Sequence, residues 1–378
     1  MKKNKMWMLG VILSLCSGMV VGCGNEAQET TKANEVQEVE ENTDTKQDKI
    51  SVVCTIFPQY DWVKELIGAQ SENYDLTVLL DNGVDLHSYQ PTAEDIAKIA
   101  DCDVFIYVGG ESDGWVEDAL KEATNKNMQV INLLDVLGEA VKEEEIVEGM
   151  EHGHHHEHEE GEHEYEEGEH EHEEDEHEHE EGEHEEAHEE HHHEHEEGEV
   201  EYDEHVWLSL KNANVLVENI EEALEKVDSQ NTDIYKSNYE NYRAQLEELD
   251  KQYESLAASA KTNTVLFGDR FPFRYMVDDY NLDYYAAFAG CSAETEASFE
   301  TIAFLSEKTN ELKLPTVLVI ENSDQKIAKA IVENTASKDQ KILEMDSMQS
   351  VTSKEMEEGY TYLDAMKENL EVLKVALN

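Results

Sequence analysis

Two series of short β-type runs alternating with amphipathic helical stretches constrain the fold of this chain more than any other feature. The first series is ISVVCTIF, a helix near YDWVKELIG, YDLTVLL, a helix near TAEDIAKIA, DVFIYVG, a helix near WVEDALKEA, and MQVINLL. The second starts at TVLFG and continues through LDYYAAFAG, EASFETIAFLSEKTNEL, PTVLVIE, QKIAKAIVENT and KILEMD. Apolar strand runs separated by helices predict parallel sheets covered on both faces. The expected fold is therefore α/β, with two similar lobes, each a small parallel sheet flanked by helices. Between the two series Tyr235, Tyr239, Tyr242, Leu246, Leu249, Tyr253 and Leu256 recur at spacings of 4 and 3. That is one continuous stripe on a helix of about 25 residues, or ~35 Å by the rise per residue. One long helix of this kind can run down the back of both lobes and join them, limiting how far a hinge between them opens.

The formal net charge is -62, and it is unevenly placed: residues 143–204 hold 33 acidic side chains and no Lys or Arg. So acidic a chain repels nucleic acid phosphates and anionic lipid and concentrates cations, so cationic partners are expected and nucleic acid is not. Within that stretch, residues 152–195 contain 16 of the chain's 18 histidines, separated almost entirely by Glu and Gly. With no apolar face the tract cannot offset its ordering entropy, and it is expected to be a disordered loop inserted between folded segments. Neutral imidazole is a good ligand for Zn²⁺, Ni²⁺ and Cu²⁺, and the carboxylates raise the local cation concentration. Loose, fast-exchanging metal capture is expected at His152, His154, His155, His156, His158, His191, His192, His193 and His195. The strings HEEHH at 188–192 and HHHEH at 154–158 and 191–195 fit zincin-type patterns. In a segment made of His and Glu such matches arise by composition, with no apolar helical context to support them.

At the N-terminus Lys2, Lys3 and Lys5 precede the apolar run MWMLGVILSLCSGMVVG, the pattern of an export signal. It ends at VVGC, where small Gly22 before Cys23 matches the lipobox of bacterial lipoproteins, so acylation of Cys23 is expected. Residues 24–49 are polar and read as a solvated tether. Cys54, Cys102 and Cys291 remain, an odd number that allows at most one disulfide.

Two histidines stand apart from the tract. In VLLDNGVDLHSYQPT, His87 lies in a loop directly after a strand, with Asp81 and Asp85, where α/β proteins bind ligands. In DEHVWLSL, His205 stands beside Val206, Trp207 and Leu208, which can lock its ring.

These residues carry a family resemblance. VVCTIFPQYDWVKELIG, GVDLHSYQPTAEDIAKIADCDVFIYVG, the acidic His-rich insertion and DEHVWLSL resemble the solute-binding lipoproteins of zinc and manganese ABC importers, over residues 50–378. The resemblance implies two α/β lobes joined by one long helix, with the metal clamped between them; His87 as the first ligand and His205 as the second; and Asp346, in KILEMDS, at or beside the metal. The His-rich insertion points to the zinc branch. Implied domains are a signal peptide (1–22), a tether (23–49), an N-terminal lobe (50–140), the loop (141–204), the end of that lobe (205–230), the connecting helix (231–260) and a C-terminal lobe (261–378).

The third ligand departs from the family pattern, a His or Glu five residues before a Tyr. In TVLFGDRFPFRYMVDDYNL, alignment on Tyr275 puts Arg270 there, and arginine cannot ligate a metal. Asp269 is the simplest substitute; Cys291, at another strand end, is a second, with Glu294, Glu296 or water as further alternatives. Arg270 is expected to pair with a nearby carboxylate. The implied protein is a monomeric, lipid-anchored receptor on the extracytoplasmic face of the membrane, carrying Zn²⁺ to an ABC permease and closing its lobes on the ion. A manganese binder of the same type and an adhesin-like surface zinc store are the alternatives. No nucleophile motif such as G-x-S-x-G and no supported general base is present, so an enzyme is not expected.

Overall fold

The structure, a computed structural model, describes residues 49–151, 201–292 and 296–378. The lipidation position Cys23, the tether, the tract histidines and Glu294 lie outside the described residues. Among the described residues no helix is long and apolar enough to cross a membrane.

Among the described residues eight strands form two parallel sheets. The first contains β1 (Ile50–Cys54), β2 (Tyr74–Val78), β3 (Val104–Tyr107) and β4 (Gln129–Asn132) in the order β2-β1-β3-β4. The second contains β5 (Thr264–Phe271), β6 (Asp283–Ala289), β7 (Thr316–Ile320) and β8 (Lys341–Met345) in the order β6-β5-β7-β8. The two sheets share one topology. In each, the chain steps to one side of the first strand and then crosses to the other, which opens a crevice at the carboxyl ends of the strands. The central strands are the most apolar because helices cover both faces: Val52, Val53 and Cys54 of β1 and all five residues of β7 are buried.

Local signals set the helices. Pro58 sits in the first turn of the helix Phe57–Ile67, where a missing N–H costs nothing. Thr92 caps the helix Ala93–Asp101, its hydroxyl accepting from the Asp95 N–H at 3.2 Å while Asp95 Oδ2 accepts the Thr92 N–H at 2.9 Å, a reciprocal cap of the Ser/Thr-x-x-acid type. The Tyr/Leu stripe lies on one helix, Thr232–Ser259, and its seven stripe residues are the buried ones. They pack against the helices Phe57–Ile67, Leu210–Val227 and Tyr362–Ala376, so the helix is shared by both lobes.

The core continues from lobe to lobe. Trp207 Nε1 donates to the Ser347 carbonyl at 2.8 Å, and the Tyr362 hydroxyl donates to the Trp207 carbonyl at 2.6 Å. Residues 141–151 and 201–204, which composition groups with the acidic loop, are paired: Asp203 N–H donates to Lys142 O at 2.9 Å and Glu144 N–H to Glu201 O at 2.9 Å. The Tyr275 hydroxyl pins both sides, accepting from Lys142 N at 3.0 Å and donating to Asp203 O at 2.8 Å. Cys54 and Cys102 are buried and free.

One buried acid gives a stability prediction. Asp61 is 1% exposed; its Oδ2 accepts the Tyr362 N–H at 2.9 Å and its Oδ1 has no hydrogen bond. Burial pushes its carboxyl up to about 6, against the partial relief of that N–H. Because the folded value lies above the unfolded one, the folded protein holds this proton more tightly. Its contribution is complete below pH ~4 and is lost as pH rises to ~6, a change of about 3 kcal/mol. Urea unfolding of Asp61→Asn and wild type across pH 4–7 is expected to show the variant gaining on wild type by about that amount; a constant difference would refute it.

Candidate metal centre

The loop after β2 delivers His87. A single turn, Leu86–Ser88, is anchored by buried Leu86 and by Asp85, whose Oδ1 accepts the His87 backbone N–H at 3.0 Å. His205 enters from the segment that precedes the helix Leu210–Val227 and is fully buried. Its backbone N–H (2.8 Å) and its ring Nδ1 (2.9 Å) both meet Asp203 Oδ1, and Trp207 packs against the ring with centroids 5.3 Å apart. On the other side Gly290 leaves room for that ring: a Cβ there would lie 3.0 Å from Cε1 of His205 and 2.9 Å from the Phe271 carbonyl.

The two rings converge, with Nε2 of His87 3.1 Å from Nε2 of His205. Cys291, just past the carboxyl end of β6, completes a group whose possible ligand atoms all lie within 4.8 Å of one another. Two nitrogens bound to one tetrahedral Zn²⁺ at the usual bond length of about 2.05 Å stand about 3.3 Å apart. The observed separation is close to that edge.

The electrostatics favour a cation. Burial, followed by the neighbouring His205, holds His87 down to about 3, so its ring is neutral and has a lone pair to offer. Burial lowers His205, but the carboxylates of Asp203, Glu204 and Asp85 together outweigh it and the net shift is upward. Burial, then the charges of Asp203, Glu144 and Glu204, push the Cys291 thiol up. A metal cation must displace that proton to bind the sulfur. The cluster opens into a cavity of about 600 Å³ lined by Glu111, Glu144, Glu201 and Glu204 along with His87, Ser112 and Cys291, and among the described residues no Lys or Arg lines it.

The other sequence candidates are engaged elsewhere. Asp269, expected as the simplest third ligand, accepts the Arg270 N–H on Oδ1 at 2.9 Å and the Ser323 hydroxyl on Oδ2. It lines a second cavity of about 460 Å³ with Glu321 and Lys326 and is not part of the gathered group. The physical reason is that β5 runs on to Phe271 with a register shift between Phe267 and Arg270, which interrupts the regular alternation of the strand at Asp269, and that both Asp269 oxygens are taken. Asp346 is held by the Tyr360 hydroxyl and by the Met348 N–H at 2.8 Å and is not part of the gathered group. Glu296 is exposed and acts on Lys326. Arg270 pairs with a carboxylate, its Nη2 donating to Asp85 Oδ2 at 2.6 Å. Asp203, Glu204 and Ser112 escape the sequence patterns. The first two could be suspected from the paired carboxylates beside His205, but Ser112 carries no signal.

Two parallel α/β lobes that share a helix and hold a ligand cluster where their strand ends meet define a two-lobed solute-binding protein. The chain belongs to the family described as zinc-uptake complex component A, periplasmic (ZnuA), whose profile matches residues 52–376. It is 28% identical over 373 residues to the high-affinity zinc uptake system protein ZnuA of Bacillus subtilis, covering 99% of this chain and 98% of that protein. It is also 28% identical over 331 residues to the zinc-binding protein AdcA of Streptococcus pyogenes serotype M3, covering 86% of this chain. The chain spans 56% of the length of that streptococcal relative. By name these relatives are zinc-binding and zinc-uptake proteins, not enzymes. The Zn(II)-bound ZnuA-like domain of Streptococcus pneumoniae AdcA shares the fold, with a TM-score of 0.60 and 23% identity over 87% of this chain and 99% of that domain. The metal-dependent lipoprotein YcdH of Bacillus subtilis does so with a TM-score of 0.63 and 24% identity, again over 87% and 99%.

Proposed function

We propose that this chain is the extracytoplasmic receptor of a zinc importer, taking Zn²⁺ between its lobes and passing it to an ABC permease in the membrane. The observation that carries this reading is the 3.1 Å approach of the two Nε2 atoms, with Cys291 closing the group. Two imidazoles and a thiolate suit Zn²⁺ and suit the harder Mn²⁺ poorly. Acylation at Cys23 would hold the receptor at the outer membrane surface beside its permease. The His/Glu tract would collect zinc loosely and raise its concentration at the acidic cavity, a reading supported by Glu144, Glu201 and Glu204, which flank the tract in the sequence and line that cavity.

Native mass spectrometry after limited chelation tests this division of labour. Deleting residues 152–195 is expected to leave one tightly held zinc and to lower the total count. Replacing His87 and His205 together with Ala is expected to do the reverse. A double variant that kept its tightest zinc would instead favour a surface store built on the tract.

A further inference from the structure

Glu204 is the part of this centre that a His/His/Cys metal site does not itself require. It is 2% exposed; Oε1 accepts the Ser112 N–H at 2.8 Å, while Oε2 has no hydrogen bond. A bare oxygen in such a place is costly enough to call for a reason. The loop after β3 is shaped around this carboxylate. Gly110 has φ +80°, and a Cβ there would come within 2.4 Å of Oε1. The free Oε2 faces His87 Nδ1 at 3.5 Å, and the same nitrogen lies 2.8 Å from Ser112 Oγ. Ser112 therefore touches both groups, with its N–H on Glu204 and its hydroxyl on the ring.

We propose that Glu204 and Ser112 are a positioning pair for His87, so that the consecutive carboxylates 203 and 204 each orient one of the two imidazoles. This rests on the zinc-receptor reading of the centre. An imidazole that ligates through Nε2 must carry its proton on Nδ1, and the partner of that N–H fixes the ring. Asp203 is this partner for His205. For His87, Nδ1–H donates to Ser112 Oγ, and the unpartnered Glu204 Oε2 stands 3.5 Å from the same nitrogen, where its charge favours a proton. In the opposite tautomer the hydroxyl donates to Nδ1, Oε2 faces a ring nitrogen that carries no proton, and the proton on Nε2 blocks the metal. The charge of that oxygen biases His87 toward the tautomer that binds.

The test combines zinc affinity, by competition with a chelating dye, with two-bond ¹H–¹⁵N correlation spectra of the imidazoles in full-length protein, His87 being assigned by its loss in His87→Ala. Glu204→Gln and Ser112→Ala are each expected to lower affinity by about 10–100-fold and to populate the Nε2–H tautomer of His87. Ser112→Thr, which keeps the hydroxyl, should remain near wild type. Glu204→Gln and Ser112→Ala variants within twofold of wild type, with His87 still protonated on Nδ1, would overturn the assignment while leaving the receptor intact. So would a Ser112→Thr protein as weak as Ser112→Ala. If His87→Ala itself kept the tight site, the receptor reading would fall and this inference with it. Should Glu204→Gln not fold, Ser112→Ala decides alone, because it leaves the buried carboxylate and its backbone donor in place.

Discussion

Replacing His205 with Ala is expected to abolish tight zinc binding, with a loss above the 10–100-fold that outer partners of a metal site are worth, and to destabilise the protein as well. Both effects have the same origin. The ring is completely buried between Trp207 and the open side of Gly290, so truncation leaves a cavity. It also strips Asp203 Oδ1, 3% exposed at its side chain, of its Nδ1 donor and leaves it the backbone N–H of residue 205 alone, the loss of a hydrogen bond to a charged group that is worth about 1.5–3 kcal/mol. His87→Ala should match the loss of zinc with a smaller loss of stability, because its side chain is 10% exposed and lies at the edge of the cavity. Cys291→Ser separates ligation from packing: it keeps the shape and removes only the soft donor, so zinc affinity should fall while urea stability stays level. Co²⁺ loading gives the spectroscopic check. Wild type should show thiolate-to-cobalt charge transfer in the near ultraviolet, and Cys291→Ser should not. Equal zinc affinity in the two proteins, with no such band in wild type, would remove Cys291 from the site.

The fold was legible because its signals are periodic and local. The apolar runs that become β1 to β8, the Thr92 cap and the seven-residue stripe of the long helix each depend on neighbours within a few positions. His87 and His205 could be singled out for a similar reason, one directly after a strand and the other beside Trp207. The third member of the cluster could not, because the choice between Asp269 and Cys291 depends on a register shift inside β5 and on which strand end reaches the histidines. Asp346 shows the same difficulty. Its place at the end of β8 is visible in KILEMD, but the Tyr360 hydroxyl that occupies it comes from a separate turn. Side chains that serve another side chain, as Ser112 serves His87 and Glu204, have no period and no motif to be read by.

Arg270 is expected to act as a tie between the loops that carry His87 and Cys291. Its Nη2 donates to Asp85 Oδ2 at 2.6 Å and its Nη1 to the Ser292 carbonyl at 3.4 Å, next to Cys291. Asp85 uses its other oxygen to hold the His87 N–H. One guanidinium therefore links the first-lobe loop bearing His87 to the second-lobe loop bearing Cys291. Both partners are about one-fifth exposed, between a surface pair worth about 0–1 kcal/mol and a buried pair whose breakage costs about 3–5. Arg270→Met or Asp85→Asn should each cost about 2 kcal/mol in urea unfolding, and the double variant no more than the worse single one, a coupling of about 2 kcal/mol. Zinc affinity should fall in both single variants, since His87 and Cys291 lose their common brace. Arg270→Lys should recover only part of it, because an ammonium lacks the fork that reaches a carboxylate and a carbonyl together. Single-variant losses that simply add would show that the pair is incidental to the site, and Arg270 would then be a surface cation that happens to lie near Asp85.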